Sequence, residues 1–248
     1  FDNEKNLELE VKRRVQFIKD VLKESGAKGI IFGNSGGKDS ALVAILCKMA
    51  CDNVLGVAMP CGSKRNYNED LEDAKRLADK FNIKTIVVDL TEVKETLIKS
   101  IEKEQSLIDQ AKNNIPPRLR MTTLYSIAQT LGYIVAGTGN RSEAFMGYFT
   151  KWGDGAYDFN PIADLTVTEV YEYLRFLNAP EEIINKAPSA GLFDGQTDEG
   201  EMGITYKAID DYILKGRGTP ENIKKLQNIH KKTQHKREMP KTYKKLGG

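Results

Sequence analysis

Gly33-Asn34-Ser35-Gly36-Gly37-Lys38-Asp39-Ser40 lies between the apolar run Gly29-Ile30-Ile31-Phe32 and the run Ala41-Leu42-Val43-Ala44-Ile45-Leu46. β-Branched residues, then glycines, then a helical run predict a strand, a tight turn and a helix. Three glycines and two serines leave little side-chain bulk, so backbone N–H groups can face a ligand at close range. Those groups fall at a helix N-terminus, whose partial positive charge favours an anion, and phosphate is the natural guest. A carboxylate beside a phosphate nest repels it unless a divalent cation bridges the two, so Asp39 points to Mg²⁺.

The P-loop pattern does not fit, because only three residues separate Gly33 from Gly37 and Asp39 follows Lys38. The dinucleotide fingerprint G-x-G-x-x-G is also absent. Ser35 to Ser40 resembles instead the SGGxDS loop of the ATP pyrophosphatases, which cleave ATP between its α and β phosphates. A ligand-free Gly/Ser turn is the weaker alternative. Thr138-Gly139-Asn140-Arg141-Ser142-Glu143 follows another apolar run, so Glu143 opens a helix beyond its strand as Asp39 does. Glu143 alone would be an ordinary first-turn glutamate. Paired with Asp39 at a neighbouring strand end, it completes a candidate Mg²⁺ site. Phe149 to Pro161 gathers the sole Trp with a Lys, two Asp and two Gly in a non-periodic run, as binding loops do. A surface turn plugged by Trp152 is the other reading.

The elements that must position these residues follow from periodicity. An amphipathic helix is predicted from about Glu4 to Ser25, stopped by Ser25-Gly26. Strands are predicted at Gly29–Phe32, Asn53–Pro60, Lys84–Leu90 and Tyr133–Gly137, the last buried on both faces. Between them fall a helix to about Cys51, a polar loop Cys61–Asn68 expected to be mobile, and a helix Glu69–Phe81. Thr91 is expected to cap a helix running toward Asn113, and Asn113-Asn114 with Pro116-Pro117 to break the chain before a helix Arg118–Leu131. Later helices are expected at Thr168–Leu177, Pro180–Asn185, Tyr206–Leu214 and Pro220–His230, with a long loop Pro188–Gly200. This alternation predicts an α/β fold: a doubly wound parallel sheet flanked by helices, with a helical C-terminal extension. Ligands then bind at the strands' C-terminal ends, where Gly33 and Gly137 should lie near each other. One domain is expected over 1–248, with a core to about 165 and a helical and lid part from about 166.

A net charge of +2 gives no pull toward nucleic acid, although Lys224 to Lys245 crowd the C-terminus as an anion-binding lobe or a solvated tail. No apolar run approaches a membrane span, and the start shows no signal-peptide pattern, though its first residue is Phe rather than Met. Cys47, Cys51 and Cys61, an odd count without paired spacing, suit a reducing cytoplasm. Cys47 and Cys51 are expected as buried small hydrophobes rather than a metal corner, since the only histidines are His230 and His235.

Ser35–Ser40, Thr138–Glu143, the FTKWGDG stretch to Asp158, and the SAGLFDGQTDE loop together resemble the NAD⁺ synthetases. The likeness is to the short, ammonia-dependent form without a fused glutaminase domain. It implies that ATP, deamido-NAD⁺ and ammonia give NAD⁺, AMP and diphosphate through an acyl adenylate. It further implies that Gly33, Asn34, Ser35, Gly36, Gly37, Lys38, Asp39, Ser40, Thr138 and Ser189 contact ATP, and that Asp39 and Glu143 hold Mg²⁺. Arg118, Lys151, Asp158, His235 and Lys236 would contact deamido-NAD⁺, with Asp39, Lys151 and Asp158 catalytic, in a homodimer. Loops 61–68 and 188–200 would be lids. Where many relatives carry an ATP-contacting Lys this chain has Val167, with Lys186 as a candidate substitute. The alternatives are another amidating or thiolating ATP pyrophosphatase, acting on a different acid, nucleotide or tRNA, and a nucleotide sensor that does not turn over.

Overall fold

A computed structural model describes residues 4–63, 66–189 and 197–243. The chain begins with helix α1 (Glu4–Ser25), which ends at Gly26 with φ +65°. There follow β1 (Gly29–Gly33), α2 (Lys38–Ala50), β2 (Val54–Ala58), a π-helical turn (Asn66–Asp70), α3 (Leu71–Phe81) and β3 (Lys84–Val87). Next come α4 (Thr91–Glu102), α5 (Asp109–Asn113), α6 (Ile115–Leu131) and β4 (Tyr133–Val135). The C-terminal part holds α7 (Arg141–Met146), α8 (Val167–Phe176), α9 (Glu181–Ile184), α10 (Asp198–Met202), α11 (Tyr206–Lys215) and α12 (Pro220–Lys232), then a 3₁₀ turn at Gln234–Lys236.

All pairings are parallel, in the order β3-β2-β1-β4, with Ile31 opposite Leu55 on one side and Val135 on the other. The chain winds outward from β1 through β2 and β3, then returns to lay β4 on β1's opposite edge. The order therefore reverses between β1 and β4, and a crevice opens beyond their C-terminal ends. Both β1 faces are buried, which explains its unbroken apolar run. Ile30 and Phe32 pack with Leu42 of α2, Ile18 of α1 and Leu174 of α8, while Ile31 joins Leu55, Val57 and Ala128 of α6 on the other face. Each such side chain contributes about 2 kcal/mol by leaving water.

Several local expectations are corrected. Thr91 is the first residue of α4 rather than its cap, and its N–H donates to Asp89 Oδ1 at 2.9 Å. That helix stops at Glu102 instead of running toward Asn113. Pro116 and Pro117 do not break the chain before a helix; they form the first turn of α6, where a missing N–H costs nothing. β4 is only partly buried at Tyr133 and Ile134, and Asp158 and Phe159 extend its ladder. The segment before α3 is a π-helical turn at Asn66–Asp70 rather than an irregular loop, while residues 64–65 lie outside the described residues.

Met146, Val167, Tyr206, Ile209 and Leu226 form a separate apolar cluster that joins α7, α8, α11 and α12. A buried carboxylate on α11 ties it to α7 and α8. Asp210 Oδ1 accepts from Ser142 Oγ at 2.5 Å, and Oδ2 accepts from the Thr168 N–H at 2.8 Å and hydroxyl at 2.6 Å. Replacing Asp210 with Ala leaves those donors unpaired in a buried setting. A loss of about 3 kcal/mol is expected, read as a lower denaturant midpoint with unchanged slope. Among the described residues no helix is long and apolar enough to cross a membrane.

Candidate active site

The glycine loop leaves β1 and enters α2 at the switch point. Gly36 adopts φ +72°, and a Cβ built there would lie 2.4 Å from the Asp70 carbonyl oxygen, so only glycine fits. Ser35 Oγ accepts from the Gly37 N–H at 3.2 Å and lies 3.0 Å from Ser40 Oγ, which donates to Gly37 O at 3.1 Å. No side chain caps α2, so its first-turn N–H groups remain available to an anion. Asn34 sits beneath the loop, donating from Nδ2 to Ala74 O at 3.1 Å and Thr85 Oγ1 at 3.3 Å.

The two predicted carboxylates converge through Asn140, which is fully buried. Its Nδ2 donates to Asp39 Oδ1 at 3.0 Å, and its backbone N–H donates to Glu143 Oε2 at 3.1 Å. Its Oδ1 accepts from the Glu143 N–H at 3.0 Å, completing a capping box on α7. Lys38 Nζ donates to Asp39 Oδ2 at 2.7 Å, with side chains only 6 % and 14 % exposed. Burial, and next the neighbouring Asp39, hold the Glu143 carboxyl well above its ordinary range. Burial opposes the charge on Lys38, but Asp39 and Glu143 together outweigh it and keep the ammonium protonated. Two repelling carboxylates of hard oxygen beside a phosphate cradle fit Mg²⁺. Among the described residues no third His, Cys, Asp or Glu completes a metal-binding group.

A cavity of about 730 Å³ opens over this group, lined by Gly33, Ser35, Gly37, Lys38, Asp39, Ser40, Gly137, Thr138, Glu143, Ser189 and Lys236 among others. Arg118, Lys151, Asp158 and His235 do not line it. Three of these form a second group at the edge. Lys151 Nζ donates to His235 O at 2.9 Å and lies 5.4 Å from the Trp152 ring centre, while Arg118 Nε and Nη2 donate to Lys151 O at 3.3 Å. Lys236 donates to Gly147 O and Phe149 O, both at 2.7 Å. Trp152 holds φ +62°, an uncommon conformation for a bulky residue. Asp158 is exposed, and its carboxylate reaches back to the strand: Oδ2 accepts from the Val135 N–H at 2.8 Å and Oδ1 from the Tyr125 hydroxyl at 3.1 Å. It braces the end of β4.

Sequence reasoning missed Asn140, whose only signal was its place before an acidic first turn. It also missed Arg120, Asp154 and Asp198, all of which line the cavity. Burial pushes the Arg120 guanidinium down. Val167 is a core residue whose N–H donates to Ser142 Oγ at 3.1 Å. Lys186 does line the cavity, but Asp70 Oδ1 at 2.6 Å and Asp73 Oδ2 at 2.8 Å already hold it. Residues 190–196 of the expected lid lie outside the described residues.

A parallel sheet wound on both faces, with a glycine-rich turn at the point where strand order reverses, is consistent with the ATP pyrophosphatase fold. Residues 10–240 match the NAD synthase family model, and the chain belongs to that family. An NH(3)-dependent NAD(+) synthetase of Carboxydothermus hydrogenoformans is 49% identical over 238 residues, 95% of this chain and 97% of that protein. The solved NH3-dependent NAD synthetase from Campylobacter jejuni is 31% identical with a TM-score of 0.77, over 96% of this chain and 99% of that one. The NMN synthetase from Francisella tularensis is 34% identical with a TM-score of 0.90, over 96% and 98%. The chain is a ligase that forms a C–N bond in ammonia-dependent NAD⁺ synthesis.

Proposed function

We propose that the cavity activates the nicotinate carboxylate of deamido-NAD⁺ with ATP, and that Asp39 and Glu143 hold the Mg²⁺ that accompanies the nucleotide. The observation that carries this is Asn140 joining both carboxylates beside the uncapped start of α2. The ion supplies charge neutralisation between two anionic reactants. Gly33, Ser35, Gly37, Lys38, Asp39 and Ser40 cradle the triphosphate, with Thr138 and Ser189 lining the same cavity, while Asn34 and Gly36 do not line it and shape the turn beneath. The carboxylate oxygen bonds to the α-phosphorus as diphosphate leaves. Ammonia then bonds to the carbonyl carbon, AMP leaves and one proton is lost. Backbone dipoles and Lys38 offset charge on the phosphates, while most of the remaining rate comes from positioning. Incubation with ATP, Mg²⁺, ammonia and deamido-NAD⁺ should release AMP and diphosphate only when all four are present; ADP release overturns the assignment.

Arg118, Lys151, His235 and Lys236 form the dinucleotide's end of the site, with Asp158 fixing the strand beneath. Lys151→Ala is expected to raise KM for deamido-NAD⁺ about tenfold, the value of one charge-assisted contact, and to leave KM for ATP nearly unchanged. Equal kinetics in both substrates would remove Lys151 from this role. The exposed Val93 and Leu97 of α4, a helix with no buried residue, support a homodimer, which light scattering would check. The resemblance to an NMN synthetase favours a second acid, the nicotinate mononucleotide. Competing the two acids for one pool of enzyme would rank them.

A further inference from the structure

We infer that the Lys38 ammonium is the resident counter-ion of the carboxylate pair, so that a divalent ion settles in the site together with nucleotide phosphates rather than ahead of them. The inference rests on the metal-site reading above and concerns a residue of this chain that the reading leaves in the way.

Both oxygens of Asp39 are already engaged. Oδ2 accepts from Lys38 Nζ at 2.7 Å, and Oδ1 accepts from Asn140 Nδ2 at 3.0 Å. The ammonium is enclosed as well as paired, with its side chain 6 % exposed and the ring of Tyr206, from α11, centred 5.5 Å from Nζ. A metal that reaches Asp39 must therefore displace or share this cation.

Charge decides when that can happen. The Lys38 ammonium and the Asp39 carboxylate offset each other in direct contact, which makes their burial tolerable. Adding a divalent ion alone brings two further positive charges into the same volume, with the displaced ammonium still beside it. Like charges in a water-poor site disfavour this strongly. A triphosphate entering the α2 cradle removes the conflict, because its oxygens ligate the metal and also give Lys38 a new partner. Lys38 and the glycine loop are consecutive in sequence, so the ammonium needs only a side-chain rotation to turn from Asp39 to a phosphate. Metal and nucleotide then favour each other's binding by a shared coupling factor.

The test is a titration of Mn²⁺ followed by the electron paramagnetic resonance of the free ion, on the full chain, with and without α,β-methylene ATP. Wild-type protein should bind Mn²⁺ weakly alone and far more tightly with the analogue. Lys38→Met should tighten nucleotide-free binding by about tenfold or more and shrink the gap, a factor within the usual range of coupling between sites. Lys38→Gln serves if the Met variant does not fold, and thermal melts verify both. Equal nucleotide-free affinity in wild type and a folded Lys38 variant overturns the inference, as does wild-type binding that is as tight without the analogue as with it. Glu143→Gln separates the two levels. If it abolishes the analogue-dependent site while Lys38 variants change nothing, the metal reading stands and the counter-ion role falls. If it changes nothing, the metal reading itself falls and takes the inference with it.

Discussion

Asp39→Ala and Glu143→Ala are each expected to lower ATP-driven release of AMP and diphosphate by about 10³-fold or more while the protein stays folded. The size follows from what each side chain does. The reactants are both anions, and Asp39 and Glu143 are the carboxylates proposed to hold the ion between them. Losing either halves the protein's share of the coordination. The apolar core is untouched, since Asp39 contacts Lys38 and Asn140 and Glu143 contacts the cap of α7, but losing Asp39 strips the enclosed Lys38 ammonium of its carboxylate and should lower the melting temperature. Removing Glu143 also takes away a buried carboxyl that the neighbouring charge already disfavours, which offsets the lost capping bond. Thermal melts beside turnover would separate the effects. Near-normal turnover in either variant excludes that residue from the metal site.

Gly36→Ala should produce the next largest loss, about a hundredfold in Kd for ATP. A left-handed backbone costs an L-residue about 1–2 kcal/mol, and the added methyl would meet the Asp70 carbonyl at 2.4 Å. Backbone cannot yield as a flexible side chain can, so the turn must open and its N–H groups lose their aim. Gly37→Ala provides the contrast, because its Cβ would meet only Ser35 Oγ at 3.2 Å and φ there is negative at −91°. A loss under tenfold is expected for it. Equal losses in both would mean that the glycines serve the close approach of phosphate and not the shape of the turn. Isothermal titration with ATP in the absence of the acid substrate measures this directly.

The sequence made the glycine loop and its strand legible because both obey local rules: an apolar run for a doubly covered strand, then residues without bulk. The pairing of Asp39 with Glu143 was legible for a related reason, since each follows a strand end by a similar interval. What joins them was not. Asn140 reaches Asp39 across 101 positions, and no periodicity reports a side-chain amide that spans two turns. Asp158 carried a binding expectation from the family resemblance, while nothing in the sequence reported that its oxygens also accept from Val135 and Tyr125. Composition shows a carboxylate but not the direction it faces. The prolines of α6 were misread because a Pro before a helix and a Pro at its start look alike until the chain's path is known. Lys186 shows the same limit: as a cation near the cradle it suggested a phosphate contact, and its two acidic partners lie more than a hundred residues earlier.

The sole tryptophan stands half exposed in a left-handed turn, with the Lys151 ammonium near its ring and the Lys151 carbonyl held by Arg118. An indole's emission responds to a nearby cation and to water. If the lysine swings from His235 to an incoming ligand, the glow of that single ring must change in colour or strength. The molecule thus carries an unlabelled optical gauge at its own doorway, one through which arrival and departure could be timed in a stopped-flow cell.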